Sequence, residues 1–356
     1  MSSPAFPGMR ADGVVKLAGA GLLAASLIAG CGSAGGSQPL SPAQSAAHGS
    51  SAGTPPTAEQ PSPDAPPTNQ LPSIAADDGA RIVSAQLVSD RIVDVEIESP
   101  AMGRRAMARL VLPVGYATDP QRRWPVIYLL HGAGDPESYR SWTQTMAIDR
   151  LPSAAGAILV SPEGGNMGYY SDWFNAGAGG PPRWETFHLT ELRQLLARNW
   201  RSSDRMAVVG ISMGGFGAIS YAGRHPGMFV AAASLSGVLD TTSVASWFSP
   251  ALWGDPADQA DVWAAHNPIA LVPKLAGTAV LVAYGDGLPG PLDSAGAGSD
   301  DLERLIARMN ESFVARMKGL RLPITVDAYG PGSHTAPYWR RELDRALPFL
   351  MDALAG

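Results

Sequence analysis

The chain has 356 residues, of which 45% are hydrophobic, so it has enough apolar side chains to build one large domain or two small ones. Its formal net charge is -6 and 16% of its residues are charged, which leaves no basic stripe of the kind that binds nucleic acid. It contains 1 cysteine, and this excludes an internal disulfide and a metal site built from thiolates.

The amino-terminal segment has the pattern of an export signal. Arg10 and Lys16 precede a short apolar run that ends in small residues at Cys31. This run is too short to span a membrane, so we predict a signal peptide over residues 1–30. The last five residues of the run, 27–31, also resemble a bacterial lipobox, which predicts that Cys31 is lipidated and anchors the protein to the outer face of the cytoplasmic membrane. The alternative is an ordinary signal peptide that contains a cysteine.

Residues 31–76 differ in composition from the rest of the chain. Ser, Ala, Gly, Pro, Gln and Thr dominate this stretch, and large apolar residues are almost absent. Such a segment cannot bury enough surface to fold, so we predict a disordered tether, with His48 inert within it. The remaining residues, 77–356, form the predicted folded domain.

Predicted strands follow one another along this domain and change in character partway through. Three strands come first, at 82–87, 91–98 and 109–113. A fully apolar run follows at 125–130, further strands are predicted at 157–160, 206–209, 229–236, 279–284 and 324–329, and helical spacing over 186–200 lies between two of them. Apolar strands that alternate with helices predict a mainly parallel central sheet with helices on both faces, as in the α/β-hydrolase fold.

Ser212 lies at the centre of a Gly-Ile-Ser-Met-Gly sequence between the apolar run 206–209 and a plausible helix at 218–222. A serine at a sharp turn from strand to helix is typical of a nucleophile elbow, and glycines flank it because side chains there would collide with neighbouring elements. We therefore predict Ser212 as a nucleophile. The competing interpretation is a glycine-rich turn without catalytic function.

A serine nucleophile needs a histidine as its base and an acid that orients the histidine. In the α/β-hydrolase fold the acid follows the serine in the chain, and the histidine follows the acid. His334 follows the last predicted strand, whereas His266 precedes another apolar run, so we predict His334 as the base. The pattern leaves two acids open. Asp286 directly follows a strand, and Glu303 lies in the first turns of a predicted helix that Asp300 and Asp301 would cap.

An oxyanion hole requires two N–H donors that converge on the developing negative charge. One is expected from the residue after the nucleophile, Met213. The other is expected from the loop after an earlier strand, where Ala133 is the natural donor. His131 in the same loop is expected to support the turn.

Several longer motifs resemble the antigen 85 mycolyltransferases and the broader group of esterase D-like proteins, over nearly the whole predicted domain. These motifs occupy residues 96–104, 128–132, 172–173, 184–187, 210–214, 233–237 and 337–339. The resemblance implies an exported, cofactor-free acyl transfer through an acyl-serine, from a lipid or small ester to an alcohol or water. Matching the Phe-Leu-Glu segment of the mycolyltransferases places Leu302-Glu303 on their acid and Asp286 on an asparagine, so we predict Glu303.

The sequence departs from the mycolyltransferases where they bind trehalose. His131 and Gly134 stand where those enzymes carry an aspartate and an arginine, and Ala336 stands where they carry a tryptophan. We therefore expect ester hydrolysis or transfer to another acceptor, with little dependence on trehalose.

Two other functions remain open, together with one structural question. The first is a non-catalytic binding or adhesion protein on the same fold. The second is a thioesterase like S-formylglutathione hydrolase, which the export signal opposes because that activity is cytosolic. The aromatic residues of 247–253 and Trp263 either line an acyl pocket or pack an insertion against the sheet.

Overall fold

The computed structural model describes residues 74–134 and 138–356, so the predicted signal segment, Cys31 and nearly all of the predicted tether lie outside the described residues. Within the described residues, one sheet contains nine strands in the order β1-β2-β3-β5-β4-β6-β7-β8-β9. The strands are β1 (Arg81–Leu87), β2 (Ile92–Ser99), β3 (Arg104–Val111), β4 (Trp124–Leu130), β5 (Ile158–Pro162), β6 (Ser202–Ile211), β7 (Ala231–Leu235), β8 (Ala279–Gly285) and β9 (Thr325–Gly330).

The sheet begins antiparallel and continues parallel. Strands β1 to β3 form an antiparallel meander, and β3 also pairs antiparallel with β5. From β5 to β9 every neighbouring pair is parallel. The carboxyl ends of β4, β6, β8 and β9 therefore meet at one edge, where such sheets bind their ligands.

The inner parallel strands are buried on both faces, whereas β9 at the edge of the sheet is partly exposed. In β4, Val126, Tyr128 and Leu130 belong to one apolar cluster, while Ile127 and Leu129 belong to another. Since side chains alternate along a strand, the two clusters lie on opposite faces of the sheet. This confirms the predicted α/β-hydrolase fold.

The helices supply the outer halves of these two clusters. α4 and α8 contribute to the first cluster and α9 to the second. The α-helices are α1 (Ser141–Gln144), α2 (Trp184–Thr186), α3 (Arg193–Asn199), α4 (Met213–Arg224), α5 (Pro250–Trp253), α6 (Ala260–His266), α7 (Pro268–Leu271), α8 (Asp301–Gly319) and α9 (Ala336–Ala355). No helix in these described ranges is both long and apolar enough to cross a membrane.

Several predicted boundaries of strands and helices differ from the structure. β3 begins at Arg104 rather than residue 109, because its first half starts with two exposed arginines and lacks the continuous apolar run used for the prediction. The predicted helix 186–200 begins at Trp184 and passes through a π-helical segment, Phe187–Leu192, before α3. Contacts with the domain also begin before residue 77, since the Ile74 carbonyl accepts a hydrogen bond from the Asn199 side chain at 2.8 Å.

Candidate active site

Ser212 lies between β6 and α4 in a strained conformation, with φ 54° and ψ -116°. The flanking glycines allow this turn. A Cβ atom at Gly214 would lie 2.0 Å from the Leu130 carbonyl oxygen, and one at Gly210 would lie 2.0 Å from the Gly214 carbonyl oxygen. Both contacts involve backbone atoms that cannot move aside, so the turn requires glycine at both positions.

The structure brings Ser212, His334 and Glu303 into one hydrogen-bonded chain. His334 follows β9, and its Nε2 lies 2.9 Å from Ser212 Oγ while its Nδ1 lies 2.6 Å from Glu303 Oε2. A carboxylate only accepts hydrogen bonds, so Nδ1 donates to Glu303 and Nε2 is left to accept from the serine hydroxyl. These hydrogen bonds are shielded from water, because the side chains of His334 and Glu303 are 8% and 0% exposed.

Two further donors hold the Glu303 carboxylate in place. Its Oε1 accepts hydrogen bonds from Ser236 Oγ and from the backbone N–H of Gly285, both at 2.8 Å. Sequence reasoning missed both donors. Ser236 directly follows β7 and Gly285 ends β8, so their positions at the carboxyl ends of strands were the signal that could have found them.

The other acid and histidine considered from the sequence lie elsewhere. Asp286 accepts a hydrogen bond from the Leu288 N–H at 2.8 Å within its own turn, and the structure does not bring it to His334. His266 is buried and stacked on Trp253, with 5.3 Å between the ring centroids. Its Nδ1–H donates to the Val262 carbonyl, so its role in the structure is packing.

The two predicted oxyanion donors border the same serine. Ala133 lies in the loop after β4 and lines the cavity in front of Ser212. Met213 is the first residue of α4, where backbone N–H groups have no acceptor within the helix. His131 is fully buried behind this loop, and its carbonyl accepts a hydrogen bond from the Tyr170 hydroxyl at 2.8 Å, which agrees with support of the turn.

A largely apolar cavity of about 280 Å³ opens in front of Ser212. Trp339 closes one side with its ring edge-on to the imidazole of His334, at a centroid distance of 4.9 Å. Sequence reasoning did not identify Trp339 or the residues of α1 as part of the cavity lining. The cavity is lined by Gly132, Ala133, Ser141, Trp142, Thr145, Met146, Ile211, Ser212, Leu302, His334 and Trp339.

Three of the four aromatic residues of the predicted insertion pack into the core, whereas Trp247 is 38% exposed. Phe248, Trp253 and Trp263 are buried and contact one another at centroid distances from 4.9 to 5.5 Å. None of them lines the cavity in front of Ser212. For Phe248, Trp253 and Trp263, the structure supports packing rather than an acyl pocket.

These features define a class of protein. A strained serine between strand and helix, a histidine after the last strand and a buried glutamate make the serine-hydrolase arrangement of the α/β-hydrolase fold. Residues 74–134 and 138–356 contain no group of three or more His, Cys, Asp or Glu residues placed to hold a metal ion.

Comparison with known proteins gives the family. Residues 99–350 match the esterase family described as "Putative esterase". The match covers more than half of the chain, so the protein belongs to this esterase family.

Individual relatives agree with the resemblance inferred from the motifs. The chain is 30% identical over 253 residues to diacylglycerol acyltransferase/mycolyltransferase Ag85B of Mycobacterium intracellulare, covering 65% of this chain and 76% of that protein. It is 36% identical over 162 residues to Esterase Rv1288 of Mycobacterium tuberculosis, covering 45% of this chain and 35% of that protein. An S-formylglutathione hydrolase from Agrobacterium tumefaciens has a TM-score of 0.59 at 17% identity, covering 77% of this chain and 99% of that chain, which shows the fold alone.

Proposed function

We propose that this member of the esterase family is an exported serine esterase or acyltransferase that works through an acyl intermediate on Ser212. The observation that carries the proposal is the relay from Ser212 through His334 to Glu303, with contacts of 2.9 and 2.6 Å. A serine hydroxyl is a weak nucleophile without a base, and the base needs a partner that fixes its tautomer. Both requirements are met by side chains already in contact.

In the first half-reaction, Ser212 Oγ attacks the ester carbonyl carbon while His334 Nε2 takes its proton. The carbonyl π electrons move to oxygen, where the backbone N–H groups of Met213 and Ala133 stabilise the negative charge. Glu303 stabilises the imidazolium that forms. Collapse of this intermediate breaks the bond to the leaving alkoxide, which receives the proton from Nε2, and leaves an acyl-serine.

In the second half-reaction, an acceptor hydroxyl attacks the acyl-serine by the reverse sequence of proton transfers. His334 Nε2 removes the proton of water or of an alcohol, and the serine leaves with that proton. Water gives hydrolysis, and an alcohol gives acyl transfer.

The cavity favours an apolar substrate group over a sugar. Among the described residues, those that line it include no carboxylate, ammonium or guanidinium group. His131, at one of the positions where the mycolyltransferases contact trehalose, is fully buried against Tyr170. We therefore propose water, or an alcohol other than trehalose, as the acceptor, because a sugar site depends on placed hydrogen-bonding groups.

The proposed location rests on the sequence. The apolar run that ends at Cys31 supports export and a lipid anchor, with the folded domain outside the cytoplasmic membrane. In that compartment a cytosolic thioesterase activity is disfavoured, and the complete relay at Ser212 disfavours a purely adhesive role.

The test is an assay of the purified full-length chain on p-nitrophenyl esters of increasing acyl length, with and without trehalose, with Ser212→Ala as the control. We expect turnover that is lost in the control and changes less than twofold on addition of trehalose. Turnover that survives in Ser212→Ala would contradict the serine mechanism. A large acceleration by trehalose would contradict only the proposed acceptor.

A further inference from the structure

Asp300 joins the two elements that carry the proposed acid and base. Its Oδ1 accepts hydrogen bonds from the backbone N–H groups of Leu302 and Glu303, at 3.0 and 3.1 Å, and so caps α8. Its Oδ2 accepts a hydrogen bond from the backbone N–H of His334 at 2.8 Å. One carboxylate is therefore bonded to the backbone of both Glu303 and His334.

Helix capping alone does not require a carboxylate at this position. Asparagine and serine cap helices about as well as aspartate, since one side-chain oxygen is sufficient. At position 300, however, all three hydrogen-bond partners are N–H donors. Two of them donate to Oδ1 and the third donates to Oδ2. Only a side chain with two acceptor atoms satisfies both sides, because asparagine would turn an NH₂ group toward either α8 or His334.

The same segment between β8 and α8 anchors the loop of His334 at a second point. Asp293 accepts hydrogen bonds from the hydroxyl of Ser333 and, at 2.9 Å, from the hydroxyl of Tyr338. The backbone N–H of Gly287 also donates to the Gly332 carbonyl at 3.1 Å. The loop is thus held on both sides of His334, and Asp300 is the contact to His334 itself.

We propose that Asp300 is a positioning residue for the relay, which holds His334 at the distance and angle from Glu303 that proton transfer requires. This inference rests on the proposed function. Loss of the Oδ2 contact leaves the backbone N–H of His334 without this acceptor, while the buried Glu303 stays held by Ser236 and Gly285. Misplacement of a catalytic group by about 1 Å costs on the order of 100-fold in rate.

The experiment compares Asp300→Asn and Asp300→Ser with Asp301→Asn in the full-length chain. Both Asp300 variants keep an oxygen that can cap α8 but lose the second acceptor. Asp301 is a matched control because it is the next residue in the chain and also carries a carboxylate. Its side chain is 89% exposed and pairs with Arg304 on the surface. The measurements are kcat and KM on a p-nitrophenyl ester, and the rate and final extent of fluorophosphonate labelling.

We expect both Asp300 variants to lower kcat and the labelling rate by roughly 10- to 100-fold, with KM within threefold and complete final labelling. Asp301→Asn should match the wild type. A merely structural role would reduce the labelled fraction and leave kcat per labelled site unchanged, and that result would overturn the inference, as would wild-type rates in both variants.

The Ser212→Ala control separates this inference from the proposed function. If Ser212→Ala keeps the wild-type rate, the proposed function and the inference both fail. If Ser212→Ala is inactive while both Asp300 variants turn over like Asp301→Asn, only the inference about Asp300 fails. Should one Asp300 variant not fold, the other decides by the same criteria.

Discussion

Glu303 Oε2 lies 2.6 Å from His334 Nδ1, although Glu303 comes from the first turn of a helix and not from the end of a strand. A carboxylate in the first turn of α8 is favoured by the positive end of the helix dipole. It is also held by Ser236 and Gly285. Glu303 is therefore the acid whose carboxylate contacts the imidazole of His334, whereas Asp300 contacts the His334 backbone N–H.

The first prediction concerns this acid. Glu303→Gln should lower kcat by about 10³- to 10⁴-fold with little change in KM, because the neutral amide no longer stabilises the imidazolium and can fix the wrong tautomer of His334. Steady-state kinetics on a p-nitrophenyl ester would measure both constants.

Asp286→Asn is the matched control for Glu303→Gln. It also replaces a carboxylate by an amide, and the Asp286 oxygen that accepts from Leu288 N–H can be retained by asparagine. We expect its kcat to stay within threefold of the wild type. An active Glu303→Gln enzyme together with an inactive Asp286→Asn enzyme would show that the acid has been misassigned.

The fold could be predicted from the sequence because its strands are marked by long apolar runs. β4, β7, β8 and the second half of β6 are buried on both faces, so their side chains are almost all apolar and the runs stand out. β3 was only half recognised because one of its faces is partly exposed. Ser212 could be found because the glycines around it are required by backbone contacts and form a short local pattern.

The acid and the cavity depend on contacts between distant residues and could not be worked out in the same way. Residue pattern alone left Asp286 and Glu303 open, and only the family resemblance favoured Glu303. Asp300 was predicted as a helix cap, which the structure confirms, but its second contact is with a residue 34 positions away. Trp142, in α1, and Met146, just after it, line the cavity beside Ser212 although they are distant from it in the chain, which no local pattern indicates.

A second prediction concerns two buried histidines that are outside the relay. Burial lowers the pKa of His188 to about 3 and that of His266 to about 4, from the ordinary value of 6.5. Between pH 6.5 and pH 4 the unfolded chain therefore binds more protons at these positions than the folded chain does. The free energy of unfolding should fall as the pH falls through this range, by at most about 1.4 kcal/mol per pH unit for each histidine.

The measurement is urea unfolding of the wild type and of His266→Gln at pH 6.5, 5.5 and 4.5. The carboxylates contribute equally to the pH dependence of stability in both proteins, so the difference between the two gives the contribution of His266. The variant should be less stable overall but should lose about 1 kcal/mol less per pH unit than the wild type. Equal pH dependence in the two proteins would mean that His266 is not held neutral by its burial.

A third prediction concerns the proposed anchor at Cys31. Cys31→Ser should abolish labelling with a fatty-acid probe and release the protein from the membrane fraction, because this cysteine is the only one in the chain. The comparison requires expression of the full-length chain in a bacterium that processes lipoproteins. Membrane attachment that is unchanged in Cys31→Ser would require another anchor.

The most direct test of the account is to identify the covalent intermediate on Ser212. The purified full-length chain is treated with a fluorophosphonate, its intact mass is measured, and the labelled peptide is sequenced by mass spectrometry, with Ser212→Ala treated in parallel. We predict one adduct per chain, located on Ser212 and absent from Ser212→Ala, together with loss of esterase activity in step with labelling. A folded protein that hydrolyses esters while Ser212 stays unlabelled, or an adduct of equal yield in Ser212→Ala, would contradict the account.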